Sequence, residues 1–317
     1  MPTIAFVFPG QGSQAPGMGA AVAAASPAAA AVFAEADAAL GEQVSRLAWD
    51  GPAQELDLTR NAQPALVATS VAFLTALRES RREAGLPALV PAFAAGHSMG
   101  QYSALVAAGS LAVADAVRLV RLRGDLMQAS GAGRPGAMAA LIGLDDARLP
   151  DVLAAGSPAG ILTVANRNSP GQVVLSGERP AVEAAIAAAK AAGARRAIEL
   201  PVSVAAHSPL MADAAAGMAD ALAGIAFADP HPPLLSNAEA APIVTGAAAR
   251  GELVEHLTRG VDWVAIVERM RDAGVDTFIE VGPGRVLTGL IKRIAPDATA
   301  IALDDPSGPG GLAAVDI

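Results

Sequence analysis

AAGHSMGQYSALVAAG, residues 94–109, sets a serine between two glycines, with small apolar residues before it and a helix-like run after it. Gly96-His97-Ser98-Met99-Gly100 fits G-x-S-x-G, where the glycines permit a sharp turn from strand into helix and close packing of the two. The serine then sits at a helix N-terminus, whose free N–H groups can stabilise an oxyanion. The competing explanation is a tight turn of small residues, which a chain with 32 glycines forms by chance as well. The strand-like PAFAA (91–95) before the turn and the helical pattern after it favour an exposed nucleophile.

Working outward, TIAFVF (3–8) reads as a buried strand that ends in the turn PGQGSQ. Helical patterns cover 18–40 and 62–83, and two more follow Ser98 at 98–109 and 112–128. SGAGRPG (130–136) is a Gly/Pro-rich break. Beyond it the order changes: strand 137–144, helix 146–155, strands 161–166 and 172–177 around the turn SPG, helix 179–192 and strand 195–203. That β-α-β-β-α-β order is the ferredoxin-like unit. Then come helices near 207–224, 247–258 and 261–274, the strand DTFIEV (276–281), and the turn GPG into a helix at 285–294. The expectation is an α/β protein. A large domain, residues 1–129 and 204–317, holds a parallel sheet covered on both faces, and a ferredoxin-like domain, 130–203, is inserted in it. The tail 304–317 is expected to lack regular structure.

Composition narrows the chemistry. The 317 residues are 53% hydrophobic but only 3% aromatic, so alanine dominates the apolar content. No apolar run is long enough to span a membrane. The start, MPTIAFVFPG, lacks the basic lead of a signal peptide, so a soluble cytoplasmic protein is expected. With no cysteine, disulfides, thiolate metal sites and cysteine nucleophiles are excluded, and four histidines make a histidine-built metal centre an unpromising reading. A net charge of −9 argues against nucleic acid as the partner.

A serine nucleophile needs a base. His97 lies inside the turn and should point away from Ser98, His231 lies in the proline-bound DPHPPL, and His256 lies in a helical pattern. His207 follows the strand ELPVSVAA, at a strand's C-terminal end, where open α/β sheets place their sites. It is therefore the candidate base, against an ordinary capping or core histidine. No aspartate stands out to orient it, and a backbone carbonyl can do so. On the helix 112–128, Ala116, Leu119, Val120, Arg123, Leu126 and Met127 share a face. One guanidinium thus projects from an apolar stripe and needs an anion, either a protein carboxylate or a carboxylate on a substrate. Gln11, in FPGQGSQ, could place its amide or backbone beside the serine, or simply belong to a Gly-rich turn. Asn166, Asn168 and Gln172 suit a hairpin turn equally well.

Taken together, FVFPGQGSQ, GHSMGQYSALVAAG, AVRLVRLRGDLMQ, GAMAALIGL, NSPGQVVLSG, PVSVAAHSPLM and EVGPGRVLTGL make the chain similar, nearly end to end, to the malonyl-CoA:acyl carrier protein transacylases of fatty acid synthesis. It also resembles the acyltransferase domains of polyketide synthases. The resemblance implies a hydrolase-like α/β body with a ferredoxin-like insertion, Ser98 as acylated nucleophile, His207 as base, and Arg123 as clamp for the malonyl carboxylate. It further implies an oxyanion hole from Gln11 and the Met99 N–H, and Asn168 lining the cleft, with Met127 among the substrate-binding residues. Partners would be a coenzyme A thioester and an acyl carrier protein, with no cofactor, metal, nucleic acid or membrane. Gln101 stands where such proteins usually have glutamate. His256 stands where they often have a glutamine whose carbonyl orients the base, which makes His256 a rival base as well. Ala205-Ala206 leaves room for an α-methyl on the acyl group, whereas bulky Met99 leans toward malonyl. Other readings are a trans-acting polyketide or malonate decarboxylase acyltransferase, a serine esterase, and a non-enzymatic carrier-docking protein.

Overall fold

The computed structural model describes residues 2–133, 136–202 and 204–303. Eleven strands follow in chain order: β1 (Ile4–Phe8), β2 (Phe93–Gly96), β3 (Gly136–Ile142), β4 (Leu162–Ser169), β5 (Gln172–Glu178), β6 (Arg196–Glu199), β7 (Leu234–Leu235), β8 (Pro242–Ile243), β9 (Val261–Asp262), β10 (Thr277–Glu280) and β11 (Thr299–Ala302). They form two sheets, ordered β11-β10-β1-β2-β7-β8 and β6-β3-β5-β4-β9.

The larger sheet is parallel from β11 to β7, and β8 adds an antiparallel edge to β7. The apolar run of β1 explains its central place. Side chains alternate along a strand, so a strand covered on both faces must be apolar throughout. Ile4, Phe6 and Phe8 enter one core, together with the helices Pro27–Leu40, Thr59–Glu83 and Val113–Gly133. Ala5 and Val7 enter the other, with Trp263, Ile266 and Phe278. The carboxyl ends of β1 and β2, at Phe8 and Gly96, lie side by side in register. Everything that follows them in sequence emerges at one edge of the sheet, the edge where open α/β folds bind ligands.

The smaller sheet has the ferredoxin-like strand order, with helix Arg179–Ala191 packed on it. It gains a strand the sequence pattern did not reveal: β9, from the stretch 204–317, pairs in parallel with β4 through Asn166↔Val261 and Arg167↔Asp262. Two residues are too short to carry a periodicity, and this pairing is non-local. Other expected bounds shift. The helix after 112 runs on to Gly133, so the expected break at 130–136 narrows, and Arg134 and Pro135 fall outside the described residues. The strand expected over 195–203 is regular only at 196–199. Short helix Val44–Asp50 and edge strand β11 were not anticipated. The tail 304–317 lies outside the described residues.

Candidate active site

Ser98 stands between β2 and the helix Gly100–Ala107 with φ 53°, in the left-handed region that costs a side-chain-bearing residue energy. The flanking glycines are what allow this. A Cβ on Gly96 would lie 1.9 Å from the Gly100 carbonyl carbon, and one on Gly100 would lie 2.3 Å from the Phe8 carbonyl oxygen. The turn is therefore pressed against both β1 and its own helix, and its hydroxyl faces a cleft between the two sheets of about 500 Å³. Gln11, Met99, Arg123, Met127, Asn168 and His207 all line that cleft.

His207 is the histidine brought to Ser98: its Nε2 lies 2.8 Å from Ser98 Oγ. Its other nitrogen, Nδ1, lies 2.6 Å from the His256 carbonyl and 3.1 Å from that of Arg259. Both are acceptors, so Nδ1 carries the proton and Nε2 accepts the serine O–H. Thr163 Oγ1, on β4 of the smaller sheet, shares its one hydrogen between the Ser176 carbonyl at 3.2 Å and the His207 carbonyl at 3.3 Å. Burial pushes the imidazole down to about 3, the nearby Arg123 charge adds to this, and the carbonyl bond from His256 opposes it. The His256 ring is buried and makes no hydrogen bond, while its carbonyl meets His207 Nδ1. His97 turns away from Ser98, with Nε2 2.9 Å from Asn168 Oδ1.

Arg123 is 2% exposed. Gly124 lets its helix approach the helix Thr59–Glu83 closely, since a Cβ there would lie 2.5 Å from Arg60 Cα. The crossing sets Arg123 Nη1 2.9 Å from Gln63 Oε1, and Nη2 reaches Ser98 Oγ at 3.2 Å. Among the described residues no carboxylate pairs with it. Gln63, fully buried, had no signal in the sequence beyond being a polar residue on an apolar helix.

Gln11 departs from one expectation. Its side-chain amide donates to Thr59 Oγ1 at 3.2 Å rather than facing Ser98. The backbone N–H groups of Gln11 and Met99 have no partner among the described residues. Gln101 is fully buried and structural: Oε1 accepts from the Gly96 N–H and Nε2 donates to the Leu235 carbonyl, each at 2.9 Å. An ionised carboxylate there could satisfy only the first. Of the two alanines before the base, Ala205 is buried away from the cleft and Ala206 lines it. Asn237, absent from the sequence reading, accepts the Ser98 N–H on Oδ1 at 2.8 Å. Its one legible hint was a polar side chain just past a strand's carboxyl end.

Residues 5–302 match the acyl transferase domain family. The chain is 48% identical over 307 residues to the malonyl CoA-acyl carrier protein transacylase of Escherichia coli K12, covering 97% of each. An acyl carrier protein S-malonyltransferase from Vibrio cholerae superposes with a TM-score of 0.89 at 42% identity, covering 96% of this chain and 97% of that one. A malonyl-transacylase in complex with its type II polyketide synthase acyl-carrier protein superposes equally well, with a TM-score of 0.89 at 44% identity over 98% of this chain and 97% of that one. With a strained serine, an oriented histidine and an unpaired arginine at one sheet edge, and likeness running end to end, the chain belongs to the acyl transferase domain family, among the malonyl CoA-acyl carrier protein transacylases.

Proposed function

We propose that the chain moves a malonyl group from malonyl-CoA to the phosphopantetheine thiol of an acyl carrier protein, through a malonyl ester on Ser98. The observation that carries the reading is the buried guanidinium of Arg123, without a carboxylate partner among the described residues, 3.2 Å from Ser98 Oγ. A buried unpaired charge is costly, and a bidentate carboxylate on the acyl group relieves it. In the first half-reaction Ser98 Oγ bonds to the thioester carbon while its proton passes to His207 Nε2. The C–S bond breaks, and the proton leaves with the coenzyme A thiol. In the second half-reaction the carrier thiol gives its proton to Nε2 and attacks the ester, and Ser98 Oγ takes the proton back. The N–H groups of Met99 and Gln11 are the candidate donors to the oxyanion. Asn168, Met99 and Met127 would shape the acyl and pantetheine path. Every role is filled by protein groups, so the proposed reaction uses no cofactor. A cytoplasmic setting, where the thioester and carrier protein meet, is part of the same reading.

Incubation with malonyl-CoA, followed by intact mass and peptide mapping, should place one malonyl adduct on Ser98 and release coenzyme A without carrier protein. Ser98→Ala should form none, and His207→Ala should slow acylation by about 10²–10⁴-fold. An adduct that persists in Ser98→Ala sinks the reading.

A further inference from the structure

Resting on Ser98 as nucleophile, one buried residue outside the cleft ties its turn to the rest of the machinery. Asn237 is fully buried and does not line the cleft. Its Oδ1 accepts from Ser98 N–H at 2.8 Å, and its Nδ2 donates to the Gly96 carbonyl at 3.1 Å. The amide orientation is dictated by these partners, since one can only donate and the other can only accept. The side chain therefore bridges the last strand residue and the strained serine, spanning the turn from outside. Its backbone is equally engaged. The Asn237 N–H donates to Glu252 Oε1 at 2.6 Å, and its carbonyl accepts the Asp262 N–H at 2.7 Å.

Glu252 lies on the helix Gly246–Glu255, which ends at His256. The His256 N–H donates to the Glu252 carbonyl, one helical turn back. One helix thus holds the turn of the nucleophile at Glu252 and presents, at His256, the carbonyl that orients the base. We infer that Asn237, held by Glu252, is a positioning residue that keeps Ser98 in its strained, cleft-facing conformation and sets the serine–histidine geometry through this shared helix. Rigid support of this kind matters because a misplacement of about 1 Å can slow a reaction about 10²-fold. Burial pushes the Glu252 carboxyl up to about 7, so near neutral pH glutamine is a close substitute for it.

The test is single-turnover coenzyme A release from malonyl-CoA, with urea midpoints as the check on folding. Asn237→Ala is expected to acylate about 10²-fold more slowly with KM for malonyl-CoA unchanged, because Arg123 and the cleft are untouched. Glu252→Ala should slow acylation in the same sense, and Glu252→Gln should restore it by again accepting the Asn237 N–H. Should Asn237→Ala not fold, the Glu252 pair decides: equal rates in both Glu252 variants and the wild type overturn the inference. So does wild-type acylation in folded Asn237→Ala, or a loss confined to KM. Ser98→Ala separates the two claims. An adduct persisting there overturns the nucleophile reading, whereas one lost there but formed at the wild-type rate in Asn237→Ala overturns the positioning role alone.

Discussion

Arg123 and His207 carry opposite demands in the same buried space. The guanidinium is held as a cation against burial, which pulls its pKa down, and it depresses the neighbouring imidazole further. A substrate carboxylate between them would relieve the arginine. Arg123→Ala should therefore cost malonyl transfer roughly 2–5 kcal/mol, as removal of one side of a buried charge pair does, while acetyl transfer is spared. Parallel rates with malonyl and acetyl donors check this, and equal losses would make the arginine structural. For His207 the folded state binds its proton far less readily than the unfolded chain, which titrates near 6.5. Stability from keeping the ring neutral is complete above about pH 6.5 and is lost as pH falls toward about 3. Urea midpoints at pH 7 and pH 5 should fall further in the wild type than in His207→Gln.

At the scale of elements, the strand–turn–helix around Ser98 works because two backbones come into contact where a side chain would ordinarily stand. The approach of 1.9 Å that a Cβ on Gly96 would make cannot be relieved by a rotamer change, since its neighbour is backbone. Gly96→Ala is expected to destabilise the protein by about 3 kcal/mol or more and to abolish acylation, read by denaturant midpoints and adduct formation. The positive φ at His207, 60°, has no glycine to allow it. Its carbonyl lies within reach of the Thr163 hydroxyl from the smaller sheet, and its ring meets the carbonyls of His256, which caps the helix Gly246–Glu255, and of Arg259 just beyond it. His207 is thus placed jointly by elements far apart in sequence.

On the whole-molecule scale, a net charge of −9 repels an acidic partner, so an acidic carrier protein would have to be met through local positive charge. Two exposed clusters of basic residues lie among the described residues near or on the smaller sheet and the cleft. Lys292 and Arg293 end the helix Val286–Ile294, whose Val286, Leu287 and Leu290 line the cleft, and Arg293 donates to Gln172, another lining residue. Lys190, Arg195 and Arg196 cluster around the start of β6, whereas the cleft is reached only past that strand's other end, at Leu200–Val202. Reversing Lys292 and Arg293 to glutamate should raise KM for the carrier protein and flatten its salt dependence, leaving acylation by malonyl-CoA unchanged. Reversal of the β6 cluster should do less. Carrier kinetics that ignore the first reversal would remove this mouth of the cleft as the docking face.

Residue types alone pointed to the parallel sheet, the ferredoxin-like insertion, Ser98, His207 and Arg123. Each leaves a local mark: an apolar run, a strand–helix alternation, a glycine-flanked serine, or a charge on an apolar stripe. Folding alone settled what pairs with them. The carbonyls of His256 and Arg259 orient His207; the family resemblance pointed to the first, but a carbonyl is common to every residue, so no residue type could announce either. Asn237 reaches Ser98 across 139 positions, and β9 joins β4 from outside the inserted segment. Gln63 meets Arg123 only because Gly124 lets two helices touch. Periodicity and turn chemistry act over a few residues, whereas these contacts depend on how separate elements pack.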